Sequence, residues 1–183
     1  MPVCVSLLRG INVGGRNLIP MAGLAELYES LGMTAVTTLL QSGNVLFCSR
    51  SRATAATLAR QLRGGIEERF AVRAELYLRS PEELRTALTA NPFREEAESD
   101  PSHLIIHFFD GLPVAGATQT LAAWDRGSER LRLVGANLYI YYPEGLGRSK
   151  LTGAILDRAL GCSGTARNWN TVNKLAALSA ALE

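Results

Sequence analysis

The chain has 183 residues, 47% of them hydrophobic and 20% charged, with a formal charge of +2 at pH 7. That composition excludes a disordered, collagenous or low-complexity chain, and the length suffices for a core without disulfide or metal staples. So small a net charge does not by itself point to a polyanionic partner.

The apolar run 3–8 reads as a buried strand. Pro20 opens a predicted helix with Met21, Leu24, Ala25, Tyr28 and Leu31 on one face and Gly32 just past its end. Strands over 36–40 and 44–48 flank a turn at Ser42-Gly43, a hairpin signal. A helix starting at Ser51 carries the row Ala55, Leu58, Leu62, Ile66 and Phe70, with Gly64-Gly65 weakening its middle. Val72, Ala74, Leu76 and Leu78 then alternate with polar neighbours, as in a half-buried strand. The order β-α-β-β-α-β is the split βαβ arrangement of ferredoxin-like domains.

Ser80, Pro81 and Glu83 form a capping box, and Asn91-Pro92 stops the helix it starts. Residues 94–102 are polar and acidic and read as a linker. A strand over 104–109 follows, then a helix over about 113–124 and a hairpin of 130–134 with 138–142 turning at Gly135-Ala136. Helices over about 150–160 and 167–182 close the chain. Strand, helix, hairpin and helix thus occur twice, and both hairpin turns place a small pair before Asn44 or Asn137. The expected class is α+β, with two ferredoxin-like halves (1–80 and 81–183) of duplicated origin and mixed or antiparallel sheets.

Cys4, Cys48 and Cys162 are few, odd in number and far apart, which argues for buried thiols over a disulfide framework or a zinc site. The apolar start is ended by Arg9 and has no basic leader, unlike a secretory signal. No apolar run approaches the roughly 18 residues of a membrane span. The expected setting is the cytoplasm.

Four polar segments, 7–21, 41–47, 141–152 and 165–175, hold six cations (Arg9, Arg16, Arg148, Lys150, Arg167, Lys174) and one carboxylate, Glu144. Meeting in space, they would form a cationic, amide-rich surface suited to an anion. The stretches Leu-Leu-Arg-Gly-Ile-Asn-Val-Gly-Gly (7–15), Gln-Ser-Gly-Asn-Val (41–45), Gly-Arg-Ser-Lys-Leu-Thr (147–152) and Ala-Arg-Asn-Trp-Asn-Thr-Val (166–172) resemble the motifs of the bacterial domain-of-unknown-function 1697 family. The resemblance runs nearly end to end. It implies a family without an assigned activity, so it supplies no catalytic residue.

Read as a helix, the last motif puts Arg167, Asn170, Thr171 and Lys174 on one face, near a positive N-terminus that Thr165 or Asn168 could cap. Trp169 reads as core. Ser149 reads as the cap of another helix, with Arg148 and Lys150 beside it as anion contacts. The first loop offers Arg9, Asn12, Gly14, Gly15, Arg16 and Asn17 but lacks the dinucleotide glycine spacing. Gln41, Ser42 and Asn44 are either ligand amides or turn residues. His103 and His107 are expected on one strand face without a third metal ligand, and no nucleophile–base set stands near the motifs. Neither a metal nor a cofactor is called for. The reading favoured is a binding domain for a phosphorylated small molecule, nucleotide or short single-stranded nucleic acid. Its alternatives are an enzyme on such a substrate, using Arg and Lys electrostatically, and a structural or partner-binding protein whose motifs maintain packing.

Overall fold

The computed structural model describes residues 2–50, 53–124 and 127–183. These form two compact units: residues 1–84 together with 175–183, and residues 85–174.

The first unit runs β1 (Val3–Arg9), α1 (Met21–Ser30), β2 (Thr34–Leu39), β3 (Asn44–Cys48), α2 (Ala55–Phe70) and β4 (Glu75–Arg79). Its sheet has the antiparallel order β2-β3-β1-β4. Leu24, Leu27 and Tyr28 of α1 and Leu58, Leu62 and Ile66 of α2 bury against Leu8, Val45, Phe47 and Leu76 of the sheet. Tyr28 meets Phe47 edge-on at 5.3 Å, and its hydroxyl lies 2.8 Å from Ser6 Oγ. The Gly64-Gly65 pair does not interrupt α2. A side chain at Gly65 would come within 3.1–3.2 Å of Leu31 and Leu27, so that glycine admits the close approach of α1. Thr54 caps α2, accepting from Thr57 N at 3.3 Å, while the expected start at Ser51 lies outside the described residues.

The capping box forms as read. Ser80 Oγ accepts from Glu83 N at 3.1 Å, and Ser80 N donates to Glu83 Oε2 at 2.7 Å, at the start of α3 (Pro81–Thr89). The acidic stretch expected as a linker is instead α4 (Arg94–Ser99) followed by a 3-10 turn (Pro101–His103). Glu95 and Glu96 sit in the first turn of α4, where the helix dipole favours carboxylates. Arg130 pins the segment down by pairing with Glu96 and stacking over Phe93 and Tyr141, 5.2 and 4.9 Å from their ring centres. His103 consequently lies in the turn, and only His107 is on the strand that follows.

The second unit continues with β5 (Leu104–Phe109), α5 (Ala117–Ala122), β6 (Arg130–Val134), β7 (Asn137–Tyr141), α6 (Gly153–Leu160), β8 (Gly164–Asn168) and α7 (Trp169–Ala180). The helix expected over 113–124 is shorter because Gly116, at φ +87°, cannot lie inside it. Helix α6 starts at Gly153 under a Thr152 cap, so Ser149 is not its N-cap. The largest correction is β8, whose last two residues, Arg167 and Asn168, are those expected to open the final helix. Gly161 ends α6 at φ +71°, and Gly164 then abuts the His107 ring and the Phe108 carbonyl, with no room for a side chain. Thr165 and Arg167 turn inward while Ala166 is exposed, a strand alternation written in small and polar residues.

With β8 the second sheet has the order β6-β7-β5-β8, the first sheet's topology again. The repeat extends to single positions. Val5 pairs with Leu46 and Arg79, as Ile106 pairs with Tyr139 and Arg167. Leu7 faces Asn44, as Phe108 faces Asn137. Both arginines are buried, and each donates to the carbonyl of the preceding residue, at 2.6 and 2.8 Å. Two ferredoxin-like α+β units of one topology make up the chain.

Cys48 is buried and Cys4 and Cys162 partly so; none is in a disulfide. Burial raises the pKa of the Cys4 and Cys162 thiols, which suppresses thiolate chemistry. Among the described residues no helix is long and apolar enough to cross a membrane.

Candidate functional site

In the first unit, the 9–19 loop and the 40–44 turn lock into one another through amides. Asn12, at φ +53°, accepts from Ile19 N at 2.8 Å and donates to Ile19 O at 3.1 Å and Gln41 O at 2.8 Å. Asn17 donates to Gly10 O at 2.7 Å. Asn44 is buried and donates to Leu39 O at 2.7 Å and Ser42 Oγ at 3.0 Å. Gly14 and Gly15, both at positive φ, form the tip of a small hairpin closed by the Val13–Arg16 bridge, with Arg16 exposed. Arg9 pairs with Glu75 at 3.5 Å. The three Asn side chains thus direct hydrogen bonds into the loops that carry them.

The second unit holds a pocket of about 200 Å³ whose walls include Glu129, Tyr142, Glu144, Arg148, Ser149 and Lys150. The 3-10 turn Leu146–Arg148 presents Arg148, and the extended residues after it present Lys150. Ser149 joins the two sides, donating to Glu129 Oε1 and accepting from Leu151 N at 2.9 Å. Trp124 Nε1 donates to Glu129 Oε2 at 2.9 Å. Partial burial opposes the Glu129 charge, but the bonds from Ser149 and Trp124 outweigh it and hold the carboxyl below its ordinary range. Burial, aided by the Glu129 charge, raises the Tyr142 phenol, which stays a neutral donor. Among the described residues neither Arg148 nor Lys150 has an ion-pair partner.

The 165–175 segment does not line this pocket. Arg167 belongs to β8 and not to the helix carrying Asn170, Thr171 and Lys174, so the four do not share a helix face. Its guanidinium is buried, donates to Thr165 Oγ1 and Ala166 O at 2.8 Å each, and is lowered by burial to a pKa of about 10. Asn168 caps the start of α7, accepting from Asn170 N at 2.9 Å and donating to Ser102 O at 2.7 Å. Thr171 is buried; Asn170 and Lys174 are exposed. Trp169, expected in the core, is half-buried and lines a shallow groove with Leu88, Asn91 and Arg94.

Sequence reasoning missed two features. Glu129 lies outside every motif, and only the position of β6 brings it to the pocket. Asp100, within the stretch expected as a linker, is the other: it accepts from His103 Nδ1 at 2.7 Å, Tyr141 OH at 3.0 Å and Ser102 Oγ at 3.1 Å. The His103 bond foremost holds the Asp100 carboxyl below its ordinary range. The other ring nitrogen, Nε2, faces Gly145 of the pocket wall, where an added side chain would come within 3.5 Å of it. Among the described residues no group of His, Cys, Asp and Glu could hold a metal ion.

Comparison with known proteins places this geometry in a family. The family DUF1697, described as a protein of unknown function, matches residues 1–139. No curated protein matches the chain. Among solved structures, the conserved bacterial protein SP0830 from Streptococcus pneumoniae shares 24% identity with it at a TM-score of 0.74, over 97% of this chain and 98% of that one. That likeness establishes the fold alone.

Proposed function

The chain belongs to DUF1697, a family of unknown function, and from its own residues we propose that it binds a small anionic ligand in the pocket bearing Arg148 and Lys150. One observation carries this reading: both cations line a single concave site, and neither has an ion-pair partner among the described residues. Arg148 supplies a planar fork for a phosphate or carboxylate and Lys150 a point charge. Such charged contacts contribute about 1.5–3 kcal/mol each, consistent with millimolar to tens-of-micromolar affinity. Of the three ligand classes expected from the sequence, the small volume and the two carboxylates in the wall favour a phosphorylated small molecule over a nucleotide or single-stranded nucleic acid.

The test is thermal unfolding of the full chain with inorganic phosphate, phosphate monoesters, mononucleotides and short single-stranded RNA or DNA at low and moderate salt. Ligand at 100 times its Kd should add about 2.7 kcal/mol of stability. Arg148→Ala and Lys150→Ala should abolish the shift and leave the unliganded protein as stable as before. A shift that survives both substitutions overturns the assignment. Nucleic acid binding, if seen, would weaken with salt at a slope of about −0.7 per phosphate contact.

A second reading, an enzyme acting on such a ligand, draws on the Asp100–His103 pair. A carboxylate that fixes one imidazole nitrogen leaves the other as a proton donor or acceptor toward Gly145 and the pocket. Turnover of a bound ligand, lost in His103→Ala with binding retained, would favour it.

A further inference from the structure

Resting on the anion site proposed above, we infer that the pocket's ligand is a small zwitterion, with an amino group beside its phosphate or carboxylate. The pocket is bipolar: Glu129 and Glu144 line it together with Arg148 and Lys150. Among the described residues no ion pair joins these carboxylates to these cations. The two signs therefore face the same small space without neutralising each other. Glu129 is fixed there. Ser149 and Trp124 each donate to one of its oxygens, and a carboxylate with about four lone-pair sites keeps room for a further donor. Gly127 packs so closely on it that any side chain at that position would displace it. The Ser149 hydroxyl is already committed at both ends, so the charged acceptors on this wall are the carboxylates.

Charge then discriminates between ligand classes. A polyphosphate would set several negative charges against a site whose own charges sum to zero, while a zwitterion matches both walls at once. The volume of about 200 Å³ lies below the 300–1,000 Å³ typical of drug-sized ligands, which points to a compact metabolite.

The experiment is calorimetric titration of the full chain with phosphoethanolamine and with ethyl phosphate, which lacks only the amine. Phosphoethanolamine should bind about tenfold more tightly. Glu144→Gln and Glu129→Gln should each narrow that ratio, the first without disturbing the Ser149–Trp124 cluster. Arg148→Ala should abolish binding of both compounds. Equal or tighter binding of ethyl phosphate, or a ratio unchanged in both Gln variants, overturns the zwitterion and leaves the anion site standing. Failure of both compounds to bind overturns the anion site, and the inference with it.

Discussion

Asn12 shows how a polar motif residue can be spent on its own backbone. Its amide meets both the N–H and the C=O of Ile19, which are part-buried, and reaches the exposed Gln41 carbonyl, so one side chain closes the loop on the turn. Asn12→Ala should therefore cost about 2–3 kcal/mol, read as a lowered urea midpoint. A loss under 0.5 kcal/mol would mean that water replaces these bonds. Arg148 is the opposite case, an exposed cation whose removal should cost binding and little stability. A sequence does not distinguish the two, because it does not tell whether an amide or guanidinium turns toward its own chain. That is why Asn12, Asn17, Asn44 and Arg148 read alike at first. Glu129 was illegible for another reason: its role comes from the Ser149 and Trp124 side chains, 20 and 5 residues away.

At the scale of elements, apolar periodicity was a dependable guide wherever a helix or strand buries one continuous face. β5, the 130–141 hairpin and α1 lie within a few residues of expectation for that reason. β8 was illegible because its inward residues are Thr165 and Arg167, and its pairing with β5 supplies what hydrophobic alternation would have signalled. α4 was hidden by its acids, and Arg130, which pairs with Glu96, lies 34 residues on. The glycines give matched tests. Gly64 faces open space inside α2, so Gly64→Ala should stabilise by about 0.5–1 kcal/mol through lost chain entropy. Gly43, at φ +76°, would drive a side chain to 2.6 Å from Ile11 and 2.8 Å from Leu8, so Gly43→Ala should lower the midpoint by the equivalent of about 1–3 kcal/mol. Chemical denaturation of both variants checks the pair, and the same sign for both would refute the argument.

For the whole molecule, the repeated strand order and the matched Arg79 and Arg167 were only partly legible: the twin hairpin turns gave the hint, and the missed β8 concealed the second half of the pattern. The buried phenols should weaken the fold at alkaline pH. Burial raises Tyr139 to about 12, and Tyr28 and Tyr142 are raised as well. Each fold-raised phenol favours the neutral form, so its contribution is complete below the unfolded value of about 10 and declines as pH rises through the folded one. Urea midpoints should fall from about pH 10 upward, with tyrosinate absorbance for these residues appearing only as the fold is lost. Midpoints that stay level to pH 12 would contradict this. Amide NMR during titration with inorganic phosphate separates the proposed anion site at the Arg148–Lys150 pocket from the other polar motifs. Saturable shifts should be confined to residues 127–129 and 142–151 and be absent in Arg148→Ala. Shifts centred on 165–174 or on the 9–19 loop, with the pocket silent, would contradict it.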